Sequence, residues 1–150
     1  MKENYIKIAM YILLVITIIV IICLSIYIVM SKTKNITEYV LLDNIININV
    51  STKVPEEFNK EFDFDLTSDE MIVFIELLKS SGIKRSFGKN EYDGVGYTLT
   101  ITYSDETTIS ISYLDKIMLG DNWYQVYGYA FKYVYQTDSY KLAYELAKLG

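Results

Sequence analysis

Asp63 and Asp65 form the first pair whose type and spacing invite chemistry. Two positions apart on an extended segment, they point to one face. Paired carboxylates could begin a calcium site or, with their acidities split by their surroundings, an acid–base pair. A calcium loop needs further oxygen ligands and a glycine at a fixed place, and that pattern is absent. The expectation is a solvated strand face. A second segment, Glu91-Tyr92-Asp93-Gly94-Val95-Gly96, holds a G-x-G. It precedes a strand-like run and opens no helix, so it lacks the helix N-terminus that a phosphate cradle uses. It is expected to connect two elements.

Nucleophilic chemistry has little to draw on. With no histidine and one cysteine, Cys23, the chain cannot assemble a zinc site, a disulfide framework or a His-based triad by itself. Lys60, Lys79 and Lys132 remain as candidate bases, but no G-x-S-x-G accompanies them. We therefore expect no catalytic residue, no metal and no cofactor. The aromatic residues say more. Ten of the 15 tyrosines lie between Tyr97 and Tyr144, with Trp123 and Phe131 among them. Aromatic side chains at strand spacing fill cores and cross-strand pairs, and tyrosine is also enriched at interfaces. Trp123, Tyr124, Tyr127, Tyr129, Tyr133 and Tyr135 thus stand open to two readings: core, or a platform for a glycan, peptide or partner protein.

The elements that must position these residues follow from pattern. Ile46 to Ser51 alternates apolar and polar, as a half-buried strand does. Pro55, the one proline, marks the turn after it. Glu61 to Leu66 alternates again, with Phe62, Phe64 and Leu66 opposite Asp63 and Asp65. Thr67-Ser68-Asp69-Glu70 has the spacing of a capping box and starts a helix through Met71, Ile72, Phe74, Ile75 and Leu78, with Gly82 past its end. Residues 84–96 read as a loop. Tyr97 to Tyr103 and Ile109 to Tyr113 alternate around the Ser104-Asp105-Glu106-Thr107 turn, an antiparallel hairpin with a Thr/Ser face. Residues 116–119 and 123–127 form a further pair around Gly120-Asp121-Asn122, and Phe131 to Tyr135 reads as one more strand. Asp138 or Ser139 caps a final helix in which Leu142, Leu146 and Leu149 fall at i, i+4 and i+7, with its Lys and Glu side chains on the wet side.

Upstream lies a segment of another kind. From Ile8 to Met30 no residue is charged. Such a helix reaches about 34 Å, enough for a ~30 Å hydrocarbon core. Tyr5, Tyr11 and Tyr27 sit near its ends, at headgroup level. The run is too long for a signal peptide, and Ser31-Lys32-Thr33-Lys34 offers no small-residue cleavage site. Cys23 follows Ile22, where a lipobox needs Gly, Ala or Ser, so lipid attachment is not expected. The reading is an uncleaved single-pass signal anchor in the cell membrane, N-terminus inside, with the C-terminal domain extracytoplasmic.

Composition agrees with a division. The chain is 51% apolar with a mean hydropathy of +0.18, yet 22% charged. Residues 1–35 carry four lysines and one glutamate, or +3, and residues 36–150 carry ten cations and 18 acids, or −8. So acidic a domain excludes a basic nucleic-acid binder and is repelled by anionic lipid surfaces. The organisation expected is a tail and anchor over 1–35 (span 8–30), a juxtamembrane linker over 36–45 and an acidic domain over 46–150. Its class is α+β: an N-terminal transmembrane helix, then an antiparallel β-sheet with one or two packed helices.

The order of elements over residues 46–127, about half the chain, is marked by the Thr67-Ser68-Asp69-Glu70 helix start, Leu77-Leu78-Lys79, the Thr/Ile hairpin and Gly120-Asp121-Asn122-Trp123-Tyr124. In these features it resembles small membrane-anchored or secreted α+β domains of unknown function from AT-rich Gram-positive bacteria. That resemblance implies a fold and an envelope location, not a mechanism. The function expected is a non-catalytic, membrane-anchored interaction module. It contacts the bilayer through residues 8–30 and an envelope protein or peptide through its domain. The alternative is an immunity-type or accessory membrane protein acting through its helix, where Thr17, Cys23 and Ser25 could pack against a neighbour.

Overall fold

The computed structural model describes residues 2–53, 61–87 and 96–149. The chain divides into two compact units, Met1–Lys32 and Thr33–Gly150. The first is a single helix, α1 (Lys2–Met30). Its Asn4–Met30 stretch is long and apolar enough to cross a membrane. Thr17 Oγ1 and Ser25 Oγ donate to the carbonyls of Leu13 and Ile21, each at 2.8 Å. Polar groups satisfied within their own helix suit a surrounding without water.

The second unit is α+β. It is built on an eight-stranded antiparallel sheet of β1 (Lys34–Asn35), β2 (Ile45–Lys53), β3 (Phe62–Asp65), β4 (Gly82–Arg85), β5 (Gly96–Tyr103), β6 (Thr108–Tyr113), β7 (Lys116–Leu119) and β8 (Asn122–Tyr127). The spatial order is β1-β4-β8-β7-β6-β5-β2-β3. Helix α2 (Ser68–Lys79) links β3 at one edge to β4 near the other. A one-turn helix α3 (Ala130–Tyr133), a 3-10 turn (Val134–Gln136) and helix α4 (Asp138–Leu149) complete the chain.

Strand alternation sorts the side chains. Ile48, Val50, Leu99, Ile101, Ile111, Ile117 and Tyr124 point inward and are buried beneath Phe74, Leu78, Phe131 and Val134 of the helical layer. Phe74 meets Phe131 edge-on, with ring centroids 6.1 Å apart. The outer face carries Asn47, Asn49, Ser51, Thr98, Thr100, Thr102, Ser110 and Ser112, the Thr/Ser face expected from the alternation. A single solvated face is ordinary for an antiparallel sheet.

The structure departs from the sequence reading in several places, each for a tertiary reason. Ile36 and Val40, in the stretch read as a linker, are buried, and residues 34–38 form β1 and a 3-10 turn belonging to the second unit. A register shift between Ile45 and Asn47 turns Ile46 outward and leaves Ile45 packed on the core. The Thr67 capping box forms as expected, but the C-cap is Ser80 and Gly82 opens β4. That strand extends through Lys84 and Arg85, the start of the stretch read as a loop, and its pairing with β8 defines it. Residues 131–135 are helical, because Phe131 and Val134 pack down onto the sheet three positions apart. Pro55 and Gly94 lie outside the described residues.

Candidate functional site

The sheet ends at β3, and α4 packs beside it. Tyr140 of α4 lies against both Phe62 and Phe64, with ring centroids 5.9 Å apart in each case. Tyr144 meets Phe62 edge-on at 6.3 Å. Thr137 Oγ1 caps the helix by accepting the Tyr140 N–H at 3.1 Å. Glu70 of α2 fixes the same end: its carboxylate accepts the Ser139 N–H at 3.0 Å, the Ser139 hydroxyl, and the Thr67 N–H at 2.9 Å. Burial pushes the Glu70 carboxyl up, but the Ser139 and Thr67 donors outweigh it and hold the pKa below the usual range.

With Tyr140 and Tyr144 packed on Phe62 and Phe64, Leu142 and Leu146 are turned aside, off the strand and along the groove beside it. Leu142, Leu146 and Leu149 are 64%, 60% and 86% exposed. The stripe at i, i+4 and i+7 is the more open one, and the half-buried side that packs on β3 runs through Tyr140 and Tyr144. Between β3 and α4 lies a groove of about 400 Å³, lined on the strand side by residues 61–65 and on the helix side by Ser139, Leu142, Ala143, Leu146 and Ala147. Its acids are Glu61, Asp63 and Asp65, and among the described residues no Lys or Arg lines it.

Asp63 and Asp65 share the outer face, as their spacing requires. The Asn47 and Asn49 side-chain amides each donate to Asp65 Oδ1 at 3.0 Å. Those bonds, Asn49's first, lower the Asp65 pKa and keep it a carboxylate. No cluster of three or more metal-binding side chains occurs among the described residues.

The six aromatic candidates are distributed over the fold. Trp123 and Tyr127 lie on the outer face, opposite Met118 and Gly82. Tyr124, between them in sequence, points inward and meets Tyr39 at 5.6 Å. Tyr129 precedes α3 and is 42% exposed. Tyr133 is half-buried on α3. Tyr135 is half-buried and packs against the core, its ring centroid 5.2 Å from those of both Tyr97 and Tyr140. Strand alternation alone separates Trp123 from Tyr124, so the six share no single surface. Of the candidate bases, Lys79 is paired with Glu76, Lys132 is exposed on α3, and Lys60 lies outside the described residues.

No family model, curated protein or solved structure matches this chain. Its site therefore rests on its own geometry. The sequence reading missed Glu70, Ser139 and the exposed leucines as site builders. One signal was present: α4 carries two apolar stripes, Tyr140-Ala143-Tyr144-Ala147 and Leu142-Leu146-Leu149, and a helix packed on one sheet edge can bury only one.

Proposed function

We propose that this chain is a membrane-anchored, non-catalytic interaction module. In this reading α1 is an uncleaved anchor, N-terminus inside, and the acidic domain is presented on the extracytoplasmic side of the cell membrane. The observation that carries it is the exposure of Leu142 and Leu146 beside a sheet edge. Apolar side chains held open next to a strand edge that, among the described residues, no other strand covers suit docking of a protein or peptide. The chemistry of the groove supports binding over bond cleavage. Among the described residues its one hydroxyl nucleophile, Ser139, sits on a carboxylate whose basicity three donors have lowered, and such a group is a weak general base. The resemblance to small envelope domains of Gram-positive bacteria agrees with the location.

The alternative, a protein acting through its helix, would use Thr17, Cys23 and Ser25. The two hydroxyls are already bonded within α1, which removes the electrostatic demand for a partner helix. Exchange of residues 4–30 for an unrelated span tests the choice, scored by complementation of a strain lacking the gene. Retained function supports the module, and lost function supports the helix. Orientation is read with a membrane-impermeant maleimide on Ser110→Cys in a Cys23→Ser background. Labelling in intact cells is expected, and labelling only after lysis would reverse the topology.

A further inference from the structure

Resting on the interaction-module reading, we propose that the groove between β3 and α4 takes up an extended cationic segment of a partner protein as a ninth strand. Apolar side chains of that segment lie against Leu142 and Leu146, and its alternate Lys or Arg side chains lie beside Asp63 and Asp65.

The backbone of β3 dictates the extended form. The Leu66 N–H donates to the Ile48 carbonyl at 3.0 Å, one step beyond the Asn49–Asp65 pair and in continuation of the β2–β3 register. Hydrogen-bonded pairs in an antiparallel ladder recur every second residue, so Phe64 and Phe62 also direct their N–H and C=O groups toward β2. Asp63 and Asp65 direct theirs the other way, off the end of the sheet. Among the described residues no strand lies there. Two donors and two acceptors in a row at strand spacing are the template for strand addition.

The faces of the sheet then dictate the side chains. A strand added to β3 places alternate residues on the inner side, beside Phe62 and Phe64 and against Leu142, Ala143, Leu146 and Ala147. The alanines leave the room there, and the leucines supply apolar surface. The other residues of the added strand fall on the outer face beside Asp63 and Asp65, whose carboxylates are cross-strand neighbours for a cation.

Charge selects the occupant. A second copy of β3, paired antiparallel, would bring Asp63 and Asp65 of both chains onto one face, and like charges opposite each other are destabilising. An anionic lipid surface meets the same repulsion from Glu61, Asp63 and Asp65 and from a domain of net −8. A cationic amphipathic strand meets carboxylates on the outer side of the groove and apolar side chains on the inner side.

The test uses the full chain in phosphatidylcholine nanodiscs and a capped nine-residue peptide of alternating Lys and Ile, with a peptide of identical composition in two blocks as control. Binding is read by fluorescence anisotropy and backbone amide exchange. The alternating peptide is expected to bind roughly tenfold or more tightly than the block peptide and to protect the Asp63 and Asp65 amides. Leu142→Gln with Leu146→Gln should weaken it about tenfold with the melting temperature retained. Asp63→Asn with Asp65→Asn should weaken it and flatten its salt dependence. N-methylation of the peptide amides that face β3 should abolish binding, and methylation of the other set should not. Equal binding of the two peptides, equal effects of the two methylation patterns, or protection confined to other strands would overturn the proposal. Failure of the underlying reading looks different. Loss of function on exchange of α1 overturns the module whatever the peptide does, whereas function retained there with no protection at Asp63 and Asp65 overturns only the groove.

Discussion

Glu70 and Ser139 lie 69 residues apart in sequence and are joined twice: Oε1 of Glu70 accepts the Ser139 N–H, and Oε2 accepts the Ser139 hydroxyl. The same carboxylate closes the capping box of α2 on Thr67. One side chain thus satisfies donors at the N-termini of α2 and α4 and sets where α4 runs relative to β3. Carboxylates at helix N-termini are also favoured by the helix dipoles.

Replacing Glu70 should therefore cost more than an ordinary surface substitution. Glu70→Ala is expected to lower unfolding free energy by about 1–2 kcal/mol, the scale of a lost N-cap with added unpaired donors. The acid limb of stability checks the cause. Because the folded Glu70 pKa lies below its ordinary 4.5, the unfolded state binds the proton more readily. Its contribution is fully present above about pH 4.5 and is lost as pH falls through the folded value. Denaturant melts from pH 7 to 3 should show a shallower acid decline in Glu70→Gln than in the parent chain.

Tyr97 governs the opposite limb. Its hydroxyl donates to the Phe131 carbonyl in the core, and burial first, then Tyr135 and Tyr113, push the phenol well above its ordinary 10. Above pH 10 the unfolded chain releases this proton while the folded chain retains it, so stability falls as pH rises. Tyr97→Phe should lose about 1 kcal/mol at neutral pH and show a flatter alkaline decline. An unchanged decline would assign the alkaline loss to other tyrosines.

The two stripes of α4 should respond differently to truncation. Leu142→Gln and Leu146→Gln replace exposed side chains and should each change stability by less than about 0.5 kcal/mol. Tyr140→Ala removes the half-buried ring held between Phe62, Phe64 and Tyr135 and should cost about 1–3 kcal/mol. Melts of the three variants decide which stripe packs on the sheet, and the reverse order would mean a rotated helix.

Gly128 links β8 to the helical layer with φ at +139°. A Cβ there would stand 2.5 Å from Ser81 Oγ and 3.1 Å from Ser81 Cα. Gly128→Ala should destabilise the domain by more than about 1 kcal/mol, because both the backbone region and the space exclude it. Ser81→Gly should partly restore it by removing the nearest atoms, and the double-mutant cycle measures that coupling.

Legibility followed the range of the forces. The capping box at Thr67 and Glu70, the alternation of Tyr97 to Tyr103 and the uncharged run over residues 8–30 are local signals, and each element stands where its residues predict. Gly82–Arg85 carries no such pattern: it is a strand because β8 lies alongside it. Residues 131–135 have strand-forming side chains, and packing of Phe131 and Val134 on the sheet overrides that propensity. The paired faces of Asp63 and Asp65 were readable from spacing. That β3 ends the sheet was not, because strand order is decided by pairings between distant segments.

From sequence alone came two things: a chain with an apolar helix ahead of an acidic α+β domain, and the alternation that gives the domain one apolar and one polar sheet face. Hydropathy and period are properties of neighbouring residues, so no partner is needed to define them. Only the tertiary structure decided which apolar stripe of α4 packs on the sheet, because periodicity defines a stripe and the opposing surface chooses between two. Phe62 and Phe64 chose Tyr140 and Tyr144, Glu70 held the helix end in place, and Leu142 and Leu146 were left open beside the last strand.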